Sequence, residues 1–234
     1  MFLGSAWLVL KPLLDGAIYA LIFGFLFNTN RGIANFPSYV IIGTFLFHAT
    51  SNCLNGGASS ITSGANMIRA FAFPRAALPL SVVTRGVVSM GPMLATMIAL
   101  ILIIPPHAQV TWRWLLFPLV LMLQMLLNTG LSLITARLTF QVPDFRLILG
   151  VIIRILFYGS GVFYSIDRFV HHPWLQFLME SNPLFIVLDM SRDVLLYDRT
   201  PALSSWLLLT ERSLLILLIG YVFFWWKEED YGRP

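Results

Sequence analysis

The stretch WLLLTERSLLILLIGYVFFWW, residues 206–226, decides the fold. Apart from Thr210, Glu211, Arg212, Ser213 and Gly220, every residue in it is apolar or aromatic. A helix needs about 20 such residues to cross the hydrocarbon core of a bilayer, and it satisfies every backbone N–H and C=O internally where no water is present. The aromatic run Phe223 to Trp226, followed at once by Lys227, Glu228, Glu229 and Asp230, marks the point where the chain leaves the membrane.

The rest of the chain reads the same way. It has 234 residues, 58% hydrophobic and 11% charged, with a mean hydropathy of +0.80, a makeup outside that of soluble domains. The expectation is an all-α integral membrane protein forming one transmembrane domain over 1–234, with six spans near 12–28, 38–57, 77–104, 114–136, 146–164 and 206–226. The first apolar run has no small-residue cleavage pattern behind it and reads as a permanent span, not a signal peptide. The second carries His48, Ser51, Asn52 and Asn55, which should face protein or water. Arg85 lies close enough to the start of the third to snorkel to the headgroups. Six spans put both termini on one side, and the greater share of lysine and arginine on that side makes it the cytoplasmic one.

Residues 165–202, between spans five and six, are too charged to span and too apolar for a free loop. Pro173 fits a first helical position, and Asn182 with Pro183 fits a cap followed by a first-turn proline, so two short helices are expected. In the second, Leu184, Leu188 and Leu195 share one stripe while Asp189, Arg192 and Asp193 lie toward another, the pattern of an amphipathic helix lying in the outer interface.

Catalytic chemistry is sparsely represented. His171 and His172 are adjacent and diverge on a helix, while His48 and His107 are isolated, so no metal site is expected. Cys53 is the only cysteine, which excludes an intrachain disulfide. No Gly-Lys-Ser/Thr turn exists for a nucleotide, since the lysines are Lys11 after Leu10 and Lys227 after Trp226. The net charge of +4 forms no nucleic-acid patch. Two charges sit at membrane depth, Arg154 in span five and Glu211 beside Arg212 in span six, and they should be paired or wet. Either Arg154 faces a water-filled path or it meets a carboxylate such as Glu211.

Several motifs, in order, carry a family resemblance: LGSAWLVLKPLLDGAIYALIFGFLF (3–27), FPSYVIIG (36–43), NMIRAFAFPRAALPL (66–80), NPLFIVLDMSRDVLL (182–196) and GYVFFWW (220–226). Together they resemble the ABC-2 type permeases that export lipid-linked polysaccharides such as O-antigen, teichoic acid and galactan. Three places depart from the pattern: Leu3 is already inside the opening motif, Ala70 stands where a second basic residue is common, and Pro143 precedes Asp144. Family members usually carry an amphipathic interface helix ahead of that opening motif.

The resemblance implies a homodimer in the bacterial plasma membrane, driven by a separate ABC ATPase subunit that holds the ATP and magnesium, with no cofactor in this chain. It also implies a polyprenyl-diphosphate-linked polysaccharide as substrate. A cytoplasmic coupling segment, 61–76, would dock on the ATPase through Asn66, Ile68, Arg69, Phe71, Phe73, Pro74 and Arg75. On their own physics, three apolar groups flanked by two arginines suit a protein groove with an acidic rim, and membrane-surface anchoring is the competing role. Outer helices in 165–202, Arg192 included, would act as gate elements. Aromatic faces stack on sugars, so Tyr19, Phe23 and Phe27 on span one, or Phe157, Tyr158, Phe163 and Tyr164 near the outer end of span five, are candidate linings of a glycan path; ordinary packing and lipid contact compete with that role. Rival functions are an exporter of a small hydrophobic drug or lipid and a membrane enzyme acting on lipid-linked sugars. The lack of a convincing acid–base pair in the spans argues against the enzyme.

Overall fold

The computed structural model describes residues 33, 35–70, 74–165 and 172–226, together with positions 10, 14 and 18. Its described elements are all helical: α1 (Phe36–Ser63), α2 (Ala65–Ala70), α3 (Ala77–Ile103), a 3-10 turn (Trp112–Leu116) leading into α4 (Phe117–Gln141), α5 (Phe145–Gly159), α6 (Pro173–Glu180), α7 (Pro183–Leu195) and α8 (Leu203–Trp225). Three of these, α3, α4 with its leading turn, and α8, are long and apolar enough to cross a membrane. The expected first span lies outside the described residues except at Leu14 and Ile18, which are helical and exposed like Leu10.

Elements begin and end for local reasons. Prolines sit in the first turn of α1, α4, α6 and α7, where the missing N–H would have had no helical partner. The fifth span was expected to run to 164, but α5 stops at Gly159 after 15 residues. Gly161 then takes φ 61, the left-handed turn that glycine enters without penalty. The aromatics Phe163 and Tyr164 therefore belong to the turn after α5.

α1 is the centre of the domain, packing against α3, α4, α5 and α7. Its contact with α4 is partly polar: Gln124 Nε2 donates to the Leu46 carbonyl (2.8 Å) and to Thr50 Oγ1 (3.1 Å), and Thr135 Oγ1 donates to the Leu54 carbonyl (3.1 Å). Lipid tails are as apolar as leucine, so such hydrogen bonds and close packing hold membrane helices together. α4 and α8 pack so closely that a Cβ on Gly220 would collide with the Gly130 carbonyl.

Candidate functional site

At the end of the domain where α1 begins, α7 is not the interfacial helix that its pattern predicts. The Asn182 cap forms as expected, its Oδ1 accepting from the Leu184 N–H at 3.0 Å. However, Leu184, Ile186, Val187, Leu188, Met190, Val194 and Leu195 are all buried, and α7 packs against α1, α4 and α8. Only Asp189 is fully exposed within it.

Arg192 corrects the amphipathic reading most directly, because its side chain is 1% exposed. Its guanidinium donates to the carbonyls of Tyr39 (3.4 Å), Gly161 (3.2 Å) and Val162 (3.2 Å), and lies 3.4 Å from the centroid of the Tyr39 ring. Five fixed donors and an aromatic face under the cation are what make such burial tolerable. Tyr39 completes the knot, its hydroxyl donating to the carbonyls of Gly161 (3.1 Å) and Tyr164 (2.9 Å). Sequence reasoning missed this because the carbonyls come from far along the chain; the Gly-Ser-Gly at 159–161 was the signal that a carbonyl-rich turn would form there.

The four aromatics expected near this end do assemble. Phe157 meets Phe47 and Phe163 edge-on, each with centroids 5.0 Å apart, and Tyr158 at 5.7 Å. The Tyr164 hydroxyl donates to the Tyr158 carbonyl. Tyr158 is the exposed member of the set. Nearby, Arg113 pairs with Asp198, and its Nε donates to Thr200 at 3.1 Å. The hydrogen bond that Arg113 donates to Asp198 is the largest influence on that carboxyl and holds it below the usual carboxylate range.

Deeper in, the unburied side of α1 is polar. Asn52, Asn55 and Thr62 are exposed and His48, Ser51 and Ser59 half-buried, a stripe down one helix face. Neighbouring residues frame it: Cys53 and Gly56 lie against α3 at Gly86 and Val82, while Leu54 and Ala58 cluster with Leu149 of α5. The stripe thus lies between α3 and α5. Arg154 is exposed on α5 and, since Phe157 meets Phe47 and Leu149 clusters with Leu54 and Ala58, sits between the levels of Phe47 and Leu54. Of the two alternatives for Arg154, the meeting with Glu211 is not made: Glu211 is exposed on α8, and among the described residues no ion pair joins the two. Arg212 instead turns inward and donates to the Ser181 carbonyl at the α6–α7 junction.

At the opposite end, α2 follows α1 across Gly64 alone. Ile68, expected in an outward patch, packs inward against the cluster of Ile61, Leu133, Ala136 and Phe224. Among its described side chains, the exposed ones are Asn66 and Met67. A helix of six residues is too short for periodicity to settle which side faces in. Pro74 is exposed; Phe71, Phe73 and the side chain of Arg69 lie outside the described residues, as do Tyr19, Phe23 and Phe27. Among the described residues no group of three His, Cys, Asp or Glu could hold a metal.

The sequence pattern of the ABC-2 type transporter family matches residues 1–196. The chain is 24% identical over 232 residues to an O-antigen export system permease protein, RfbA, of Myxococcus xanthus, covering 99% of this chain and 88% of that one. It is also 24% identical over 192 residues to an O-antigen export system permease protein RfbA of Klebsiella pneumoniae, covering 82% and 72%.

Proposed function

Since the chain belongs to the ABC-2 type transporter family and is a membrane permease subunit, we propose that it exports a polyprenyl-diphosphate-linked polysaccharide, as one half of a homodimer driven by a separate ABC ATPase. Both termini and α2 then lie on the cytoplasmic side of the bacterial plasma membrane, and residues 165–202 on the outer side. The substrate class rests on the relatives named for O-antigen export.

The observation that carries the transport reading is the polar stripe on α1. Asn52, Asn55 and Thr62 stay exposed on a helix otherwise sunk in the domain, beside an exposed Arg154. An uncompensated charge at the bilayer centre costs at least ~2.5 kcal/mol even on insertion scales, so groups of this kind face water. A hydrated path bordered by α1 and α5 accounts for all of them, and hydroxyl-rich glycan hydrogen-bonds to asparagine side chains. Tyr158, exposed above Arg154 on α5, supplies a stacking face for a sugar ring.

Coupling enters through α2. Asn66 and Met67 supply the exposed contact, Pro74 and Arg75 follow it before α3, and Arg69, Phe71 and Phe73 extend the same segment; Ile68 braces it from within. Arg69→Glu and Met67→Glu should abolish ATP-dependent export and weaken assembly with the ATPase, while Ile68→Ala should act through stability. Unaltered export and unaltered assembly in both charge variants would refute docking at α2. The whole proposal is tested by purifying the chain with its ATPase and asking which lipid-linked glycan stimulates hydrolysis; stimulation by a hydrophobic drug alone would favour the small-molecule exporter.

A further inference from the structure

We infer that Arg192 is a positioning residue that joins the outer segment to α1 as one mechanical body, so that a displacement of α2 at the cytoplasmic face reaches α7 along α1. This rests on the reading of the chain as an ATP-driven permease. α1 is an unbroken helix of 28 residues, about 42 Å long, with α2 at one end and the Arg192 knot at the other. It runs into α2 across Gly64 and packs against α7; α4 and α8 also meet both, but through apolar contacts around Ile68 and along α7.

The knot is directional where the surrounding contacts are not. Apolar packing of α7 on α4 and α8 is roughly proportional to area and tolerates sliding, whereas three carbonyls fixed on one planar guanidinium do not. One of those carbonyls belongs to α1 and two to the turn after α5, so the cation staples three segments at once. Gly43, one turn after Tyr39, keeps the space: a Cβ there would stand 2.5 Å from Arg192 Nη2 and 3.2 Å from the Val162 carbonyl. The other end of α7 is tied to the same turn, since Asn182 Nδ2 donates to Ser160 Oγ at 2.9 Å. α8 reaches this region through Arg212, which holds the α6–α7 junction and not α1.

The experiment has two arms. In the purified permease alone, spin labels at Thr62 and Asp189, both exposed, report α7 against α1, and labels at Asp189 and Leu207 report α7 against α8. Arg192→Met should broaden the first distance distribution, Arg192→Lys should broaden it less, and Arg212→Met should leave it narrow. In the assembled complex, Arg192→Met should lower export roughly ten-fold at unchanged ATP hydrolysis and unchanged complex yield. If Arg192→Met does not fold, Tyr39→Phe, which drops only the hydroxyl bonds, should shift both readouts in the same direction. An unchanged first distribution overturns the inference, and so does a fall of export, hydrolysis and yield together, the signature of a residue that merely holds the fold. A wild-type complex that does not export in response to ATP sinks the permease reading but leaves the distance result standing.

Discussion

α1 and α8 are both long helices of one membrane domain, yet what they leave uncovered differs in kind. α8 exposes Leu207, Leu214, Leu215, Leu218, Val222 and Trp225, a surface that lipid tails cover at no cost. α1 buries its apolar residues, among them Phe36, Ile41, Ile42, Phe45 and Leu46, and exposes asparagine and threonine. In a soluble protein that arrangement would be ordinary. In a bilayer it inverts the rule, and the inversion separates a helix whose uncovered face is apolar from one whose uncovered face is polar. High hydropathy identified α8, and its absence is why α1 does not qualify as a span by composition although it has the length.

The comparison breaks first on the lipid side. Leu215→Lys on α8 exchanges an exposed apolar residue for a charge far from either helix end, a change of about 3 kcal/mol or more on insertion scales. Loss of membrane-inserted protein, measured by carbonate extraction or glycosylation mapping, is the expected result. The reciprocal change sharpens it: Asn52→Leu with Asn55→Leu should leave insertion and thermal stability within about 1 kcal/mol of wild type, since both side chains are exposed, while export falls by an order of magnitude. A large loss of stability in that double variant would mean that these residues pack against protein. Smallest is the Arg113–Asp198 tie. The depressed Asp198 carboxyl contributes stability above its unfolded pKa near ~3.9, and that contribution is lost as pH falls through the lower folded value. Arg113→Met should therefore lower the melting temperature slightly at neutral pH, with the difference closing in acid.

What was legible in the sequence follows the same division. The extents of α3 and α8 match their apolar runs to within a few residues, because lipid imposes length directly on composition. The cap at Asn182 was legible because a capping bond is local. Arg192 was not: periodicity assigns a charged residue to a wet face, and nothing near it in sequence announces that the carbonyls of Tyr39, Gly161 and Val162 would converge on it. Arg154 and Glu211 do not pair for a similar reason, since residues on two spans meet only where depth and face both coincide, and periodicity fixes neither across spans. The polar stripe itself was visible as His48, Ser51, Asn52 and Asn55 in an otherwise apolar run. Its frame, α3 on one side and α5 on the other, required the packing.

The most direct measurement is thiol labelling in membranes. With Cys53 replaced by alanine, single cysteines at Asn52, Asn55 and Ser59 on α1 and at Leu207, Leu214 and Leu218 on α8 are exposed to a charged, membrane-impermeant reagent. Reaction on α1 at least roughly ten-fold faster than on α8, with both sets reacting alike once the protein is denatured, is the predicted result. Equal protection of both sets from the aqueous reagent in the folded protein would contradict a hydrated path along α1.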